Sequence, residues 1–466
     1  MTSDDTLIEP PTRIMASYGS GKFLAEFFGQ AFGVVVFFYY EVVLGLDSGL
    51  AALGFVIYSI YNAINDPVIG YITEKKTTRL TDRFGRRFPW IIIGTVFFSI
   101  SFVFIFLVPE FMMGSEYTIL IWMVLSTCLY DTFYSLWDVS YQSLFPDKFR
   151  TTRTRNITTG LGTVVGVIGI ALGFILPTII TDPVAVNATQ TYVINALVFT
   201  VAGLFVILLL IPSIRENKTM IDRYLRDRAG KEEESFLLDL RRAFSERNFI
   251  AWILIYLFYQ SAVVSITASV EYIGNFITNE STTLIFVGFL VGALLAIFIW
   301  LKLFKFIGSN QRIMMMTASI MAVFAFPMAL PVVNTTILFT IFAFLVGLGF
   351  GGYWMIMTPA LSDVIDEIVI KSGKRNDGIF MGFRAFFGRL AFAIQAISFA
   401  IIHIMTDFVN DPNVVQTEEA IQGIHLHVGL TPAIFLIIGI FVFWRLNTLN
   451  PEKVAHNKKV LKEMDL

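Results

Sequence analysis

The sequence is poor in the residues that build disulfides, zinc sites and charged surfaces. Its 466 residues include one cysteine, Cys128, so an intramolecular disulfide and a thiolate zinc site are both excluded. The four histidines form no ligand cluster in the sequence, and no glycine-rich phosphate loop follows a strand pattern. Since no nucleophile–base pair is visible either, we expect neither enzyme activity nor a cofactor.

Charge is scarce and apolar residues are abundant. Charged residues make up 15% of the chain and hydrophobic residues 56%, whereas soluble proteins have about 25% and 45–50%. This composition predicts a multi-pass integral membrane protein of the plasma (cell) membrane. We expect a monomer in the lipid bilayer with no nucleic-acid partner. The polar start of the chain predicts no cleavable signal peptide.

Twelve stretches are long and apolar enough to cross about 30 Å of hydrocarbon. They lie at 22–45, 49–73, 89–109, 117–146, 156–181, 190–212, 248–277, 284–306, 313–331, 335–362, 378–406 and 428–448. If the N-terminus is cytoplasmic, 32 of the 34 Lys and Arg residues fall in inner segments and none in outer loops. This asymmetry predicts that both termini are cytoplasmic.

The spans divide into two groups of six. The predicted domains are a bundle at 1–212, a cytoplasmic linker at 213–247 with an amphipathic helix, a second bundle at 248–448 and a tail at 449–466. An Arg-Asn pair opens both the fifth and the eleventh span. Two parallel six-helix halves with a site between them at mid-membrane are typical of major facilitator transporters.

The second span carries polar residues on one helical face. Asn62, Asn65 and Asp66 stand at positions i, i+3 and i+4, and Pro67 follows them. Ionisable groups inside a bilayer are costly and cluster on substrate or ion paths. One carboxylate with two amide oxygens suits Na⁺ or a proton. The alternative is a polar contact between helices.

The fourth span combines acids with aromatic residues. Asp131 and Asp138 are seven residues apart and project to nearly the same side, with Ser135 between them. The aromatic residues around them are Tyr130, Tyr134, Trp137 and Tyr141. Acids beside aromatic rings are a common way to bind sugars, because hydroxyls donate to carboxylates and CH faces stack on rings. The alternative is a charge network that holds the halves together.

Other charged residues lie in or near the spans. Glu26 is expected to face the cavity, or alternatively to pair with Lys22 at the membrane interface. Arg384 and Arg389 in the eleventh span are about 140° apart around the helix, so they point to different partners. Three further residues near the predicted outer ends of spans are expected to be solvated: Glu41, Glu271 and His403.

The stretch "NAINDPVIGYI…DRFGRRFPWIIIG" resembles the signature of the glycoside–pentoside–hexuronide:cation symporter family. The matching residues are Asn65, Asp66, Pro67, Gly70, Gly85, Arg86, Pro89 and Trp90. "SYGSG" at 17–21 and "YSLWD" at 134–138 extend the similarity. The resemblance implies a major facilitator fold with 12 transmembrane helices and cation-coupled symport of a sugar by alternating access.

The resemblance, together with the spacing of the polar and aromatic residues, predicts roles for individual residues. Substrate-binding positions and their neighbours are Glu26, Asp138, Tyr134, Trp137, Gln142 and Arg389. Cation-binding positions are Asp66, Asn65, Asn62, Ser135 and Asp131, with Na⁺ expected at Asp66 and Asn65. Gating or structural positions are Arg79, Asp82, Arg83, Gly85, Arg86 and Arg384.

Two departures from the family pattern bear on the ion and the substrate. Asn62 stands where the family has an acid, so proton coupling, weaker Na⁺ binding and uncoupled transport are all open. We hypothesise that Asp131 replaces the lost charge. Gln142 stands where the family has a tryptophan beside the acid of the fourth span, so the sugar-stacking surface must differ.

Two other functions compete with sugar symport. The family resemblance extends to lysolipid carriers, and the 47 phenylalanines would suit an acyl chain. A non-transporting membrane receptor or scaffold is the third possibility, and it predicts no counterflow of any substrate.

Overall fold

The polypeptide is helical, with no β-strand in the part that the structure describes. The structure is a computed structural model, and it describes residues 10–75, 84–149, 151–216, 245–372 and 377–463. Apolar stretches of this length favour helices in a bilayer, because a helix satisfies its own backbone N–H and C=O groups.

The described residues before 217 form a first series of long helices. They are α1 (Thr12–Phe38), α2 (Ser48–Lys75), α3 (Phe88–Phe106), α4 (Glu116–Lys148), α5 (Thr152–Ile180) and α6 (Ala188–Ile214). A π-helical segment, Tyr39–Val43, extends α1, and a 3-10 turn, Glu110–Met112, precedes α4.

The residues from 245 onward form a second series. It comprises α7 (Arg247–Tyr272), α8 (Thr283–Ile307), α9 (Asn310–Ala325), α10 (Thr336–Ser372), α11 (Asp377–Met405), α12 (Glu418–His425), α13 (Thr431–Leu446) and α14 (Pro451–Glu463). Two π-helical segments belong to this series. Ile273–Thr278 extends α7, and Leu426–Leu430 joins α12 to α13.

The predicted all-helical membrane architecture is confirmed. Eleven helices of the described residues are long and apolar enough to cross a membrane. The remaining predicted span, 49–73, corresponds to α2, which has 28 residues but is less apolar because it carries the polar face described above. The side of the membrane that each terminus faces stays a prediction.

The helices group into two compact units. The first unit comprises Met1–Leu46 and Ile60–Glu232, and the second comprises Asp47–Ser59 and Glu233–Leu466. The first turns of α2 therefore group with the second unit. The predicted domain limits stay a prediction, and most of the predicted amphipathic linker helix (217–244) lies outside the described residues.

Glycines allow the helices of the first unit to approach closely. On α5, a Cβ at Gly169 would lie 2.7 Å from the carbonyl oxygen of Phe23 on α1, and one at Gly173 would lie 2.6 Å from that of Phe27. Real Cβ atoms do not come that close, so α1 and α5 can pack at this distance only with glycine at both positions.

Candidate functional site

A buried polar cluster joins α2 to α4 in the first unit. The Asp131 carboxylate accepts a hydrogen bond from Asn62 Nδ2 at 2.6 Å and another from Asn65 Nδ2 at 3.0 Å. Asn65 Nδ2 also lies 3.1 Å from Ser135 Oγ. These four side chains are between 0% and 7% exposed. They place one acid, two amides and one hydroxyl together inside the protein.

Helical spacing on both helices produces this cluster. Asn62 and Asn65 are one turn apart on α2, and Asp131 and Ser135 are one turn apart on α4, so each pair presents one face to the other. The Tyr61 hydroxyl lies 2.6 Å from Thr132 Oγ1, which ties the same helices together beside the cluster.

Asp66 adjoins the cluster on α2. It is half-buried and stands one turn beyond Asn62 on the same helical face. Pro67 follows it inside α2. Because proline has no N–H, the carbonyl of Ala63 lacks its usual helical donor at that depth.

The predicted cation residues thus divide into two groups. Asn62, Asn65, Ser135 and Asp131 are brought into direct contact, and Asp66 lies next to them along α2. The acid that binds the two amides is Asp131, which belongs to the opposite helix. Oxygen ligands of this kind suit a hard cation or a proton, so the cluster is the candidate cation site.

The predicted substrate residues of α4 differ in their environments. Gln142 is exposed, and its Nε2 donates to Oδ2 of half-buried Asp138 at 2.7 Å. Trp137 is 0% exposed, and its ring stacks on Tyr141 with the centroids 5.5 Å apart. Tyr134 is half-buried and meets Trp137 edge to face. Asp138 and Gln142 are accessible to a polar substrate, whereas Trp137 packs against neighbouring rings in the interior.

Glu26 is held by residues of its own helix. Its carboxylate pairs with Lys22 Nζ at 2.7 Å and accepts from Gln30 Nε2 at 3.2 Å. Both partners lie one turn away on α1. This arrangement matches the alternative interpretation, an acid paired with Lys22, more closely than an acid that faces a cavity alone.

A tyrosine pair joins α1 to α4, and of its two members only Tyr141 was predicted, as an aromatic neighbour of the acids in the fourth span. Tyr18 stacks on Tyr141 with the ring centroids 4.3 Å apart, and each hydroxyl donates to the other residue's carbonyl oxygen at 2.6 Å. A Cβ at Gly21 would lie 2.3 Å from the Tyr141 ring, so glycine is required there. The "SYGSG" segment was the available signal, because it places Tyr18 and Gly21 one turn apart.

The predicted gating residues are only partly described. Arg79, Asp82 and Arg83 lie outside the described residues. Gly85 has a φ of 97°, in the region that favours glycine, and a Cβ there would lie 2.6 Å from Glu216.

Glu216 follows α6 and binds the beginning of α3. Its carboxylate accepts from the backbone N–H groups of Arg86 at 3.1 Å and Phe88 at 3.2 Å, and also from that of Arg87. A carboxylate is favoured there because the first N–H groups of a helix lack internal partners and carry the positive end of the helix dipole.

A lysine ties the end of α4 to the end of α6 in the same region. Lys148 Nζ donates to the carbonyl oxygen of Arg215 at 2.8 Å and to that of Ser213. Burial lowers the pKa of the Lys148 ammonium to about 8, and the Glu216 carboxylate opposes this shift.

We expect Glu216→Gln to destabilise the first unit. Loss of a charge from a helix N-terminus costs about 0.3–1 kcal/mol, and up to about 2 kcal/mol when it is partly buried. Thermal unfolding of the purified protein should show a melting temperature a few degrees lower, about 2–4 °C per kcal/mol. Glu110→Gln is the control, because Glu110 is exposed, and its melting temperature should not change. Equal values for the two variants would contradict the capping role.

The two arginines of α11 belong to the second unit and are both half-buried. Arg384 Nε is buried and has no hydrogen-bond partner among the described residues. The five-residue spacing turns Arg389 to a different side of the helix.

Three residues that were expected to be solvated are buried. Glu41 is 0% exposed, Glu271 is 4% exposed and His403 is 1% exposed. The prediction was wrong because burial depends on segments that pack over the span ends, as Phe408 and His427 do over His403.

The sequence was compared with known proteins and structures. Residues 17–449 match the family described as MFS/sugar transport protein. Sodium-dependent lysophosphatidylcholine symporter 1 of Gallus gallus is 24% identical over 94% of this chain and 86% of its own length. The lactose permease of Lactobacillus helveticus is 24% identical over 91% of this chain and 65% of its own length.

Solved structures show the same fold. The D-xylose-proton symporter superposes with a TM-score of 0.65 at 15% sequence identity, covering 95% of this chain and 98% of that one. At this identity the similarity concerns the fold alone.

Proposed function

This chain belongs to the MFS/sugar transport protein family, and we propose that it is a symporter that couples a glycoside or similar polyol to a cation bound at the Asp131 cluster. The family and the fold are those of multi-pass membrane transporters, and a plasma-membrane location is consistent with its symporter relatives. The observation that carries the proposal is the buried contact of Asp131 with Asn62 and Asn65.

The cluster supplies the charge that α2 lacks at position 62, where Asn62 stands. Removal of a carboxylate from water is costly unless donors compensate it, and two amide N–H groups do so here. A cation or a proton would compensate the same charge more fully. The amide side chains could then turn their oxygens towards Na⁺, because each amide has both a donor and an acceptor end. Asp131 therefore supplies the carboxylate that an acid at position 62 would otherwise supply.

Asp138 and Gln142 support a polar substrate. Their hydrogen-bonded pair offers a carboxylate acceptor and an amide donor in a half-buried to exposed position, which suits vicinal hydroxyl groups. A cation bound near Asp131 lowers the cost of filling an acidic cavity, so that substrate and cation bind together. This linkage is the basis of symport.

A lysophospholipid is the second candidate substrate. The specific observation that favours it is the similarity over almost the whole chain to a sodium-dependent lysophosphatidylcholine symporter. A non-transporting receptor or scaffold is disfavoured, because the relatives named above are transporters.

Uptake by proteoliposomes tests these alternatives. The purified protein is reconstituted, and accumulation of labelled glycosides and of labelled lysophosphatidylcholine is measured under an imposed Na⁺ gradient, a proton gradient or neither. We expect a glycoside to accumulate under one of the gradients and lysophosphatidylcholine not to accumulate. Accumulation of the lipid alone would show that the substrate is a lysophospholipid and not a sugar. Accumulation of neither would contradict symport of either class.

We expect Asp138→Asn to reduce glycoside uptake about tenfold or more. The substitution removes a charged acceptor, and a hydrogen bond to a charged group is worth about 1.5–3 kcal/mol. Glu116→Gln is the matched control, because Glu116 is an exposed acid in the first turn of the same helix. Initial rates of the two variants in proteoliposomes should differ by this factor. Equal rates would exclude Asp138 from substrate binding.

A further inference from the structure

A buried pair of histidines lies in the second unit. His403 is in the last turn of α11, and His427 is in the π-helical segment Leu426–Leu430. The rings are 1% and 0% exposed, and their centroids are 5.2 Å apart with the planes at 67°. The proposed transport site of the first unit does not use them.

Aromatic rings enclose this histidine pair. Phe399 stacks on His427 with the centroids 4.2 Å apart, and Phe408 stacks on His403 at 4.4 Å. The Tyr272 ring lies 5.3 Å from His403 and 5.2 Å from His427. The faces of aromatic rings attract cations, so these walls would partly compensate an imidazolium charge.

Hydrogen bonding assigns the tautomer of His427. Ser269 Oγ donates its one hydrogen to the carbonyl oxygen of Ser265 at 2.6 Å. Ser269 Oγ must therefore accept from His427 Nδ1, which lies 2.7 Å away. The second nitrogen, Nε2, is then the basic one. It is buried and has no hydrogen-bond partner in the part of the chain that the structure describes.

The end of α11 places the Phe408 ring over the histidine pair. Asp407 has a φ of 50°, and the Phe408 N–H donates to the carbonyl oxygen of His403 at 2.9 Å. This is the Schellman type of helix end, in which the residue after the left-handed position packs back on the last turn. The Phe408 ring is placed over His403 in this way.

The neighbouring titratable groups are few. From α7, Tyr272 faces both rings, and buried Glu271 is next to it in sequence. From α12, His425 directs its Nδ1 to the carbonyl oxygen of Met328 at 2.9 Å. From the loop after α11, Asp407 is exposed.

We infer that His403 and His427 form a proton-binding site of the second unit that holds at most one proton on the two rings. Two buried charges about 5 Å apart would repel strongly, so the first proton opposes the second. Occupation of the site adds a charge at the π-helical segment Leu426–Leu430, which contains His427. Such segments are frequent at functional sites, and we expect the charge to loosen their packing.

Histidine NMR tests this site directly. The full chain, labelled with ¹⁵N only at its four histidines, is titrated in lipid nanodiscs from about pH 8 to about pH 5, the range in which histidine changes charge. Single Gln variants assign the signals. His456 on α14 is exposed and lies outside the pair, so it serves as the control. We expect His427 to show the Nδ1–H tautomer at high pH and to titrate together with His403.

The decisive measurement is the effect of one histidine on the titration midpoint of the other. His403→Gln should move the midpoint of His427 by about one pH unit or more, whereas His456→Gln should leave it unchanged. If both rings stay neutral over the whole range, or if His403→Gln leaves the His427 midpoint in place, the inference is wrong. If the His403 variant does not fold, the wild-type titration decides, because two independent single-site curves overturn the inference and coupled uptake of only one proton by the two rings supports it.

Discussion

Replacement of Asp131 by Asn is expected to abolish cation-driven accumulation of the substrate. The carboxylate accepts hydrogen bonds from Asn62 and Asn65 inside the protein, and each such bond to a charged group is worth about 1.5–3 kcal/mol. Asparagine offers a cation no charge, and loss of one charged contact of this strength corresponds to a decrease in cation affinity of about 10- to 100-fold. Proteoliposome uptake as a function of Na⁺ or proton concentration measures this change.

A charge exchange provides the matched variant. Asn62→Asp combined with Asp131→Asn returns one acid and one amide to the same pair, whose atoms are 2.6 Å apart in the wild type. The double variant should recover cation-dependent accumulation, whereas Asp182→Asn, at an exposed outer position, should have no effect. Intact cation dependence in Asp131→Asn would refute the assignment of Asp131 to the cation site.

Substitution of Gly292 by Val is expected to cause a larger loss of stability than Glu216→Gln. The G-x-x-x-G glycines of α8, Gly288 and Gly292, lie against α10 at Thr340 and Phe344. Those of α10, Gly347 and Gly351, lie against α8 at Phe289 and Ala293, and this motif lets membrane helices approach closely. A Cβ at Gly292 would lie 2.1 Å from the carbonyl oxygen of Phe344, and one at Gly351 would lie 2.1 Å from that of Ala293. Because backbone atoms are in the way, the helices must separate.

The expected cost is that of overpacking, about 1–3 kcal/mol or more. This corresponds to a melting temperature lower by roughly 2–12 °C for a unit of this size. The yield of monodisperse protein and its thermal unfolding measure the effect. Gly382→Val on α11 is the control, because a Cβ there meets nothing within 4 Å. Equal melting temperatures for the two variants would show that α8 and α10 do not pack this closely.

The sequence by itself determined the class of the protein and most of its helices. The lengths of the apolar stretches predict the spans, because the bilayer thickness imposes a minimum helix length. Periodicity placed Asn62 and Asn65 on one face of α2, and Asp131 and Ser135 on one face of α4, since a helix repeats every 3.6 residues. The motif around Asp66 was sufficient to identify the family.

Only the tertiary structure decided which faces meet. Asn62 and Asp131 are 69 residues apart, and their contact depends on the rotation of two helices about their own axes, which neither helix encodes alone. The same is true of Trp137, a predicted ligand platform that neighbouring rings bury completely. His403 was assigned to solvent from its place near a helix end, but Phe408 folds back over it. Burial is a property of the neighbours, and pairings between distant helices are set by packing of the whole unit.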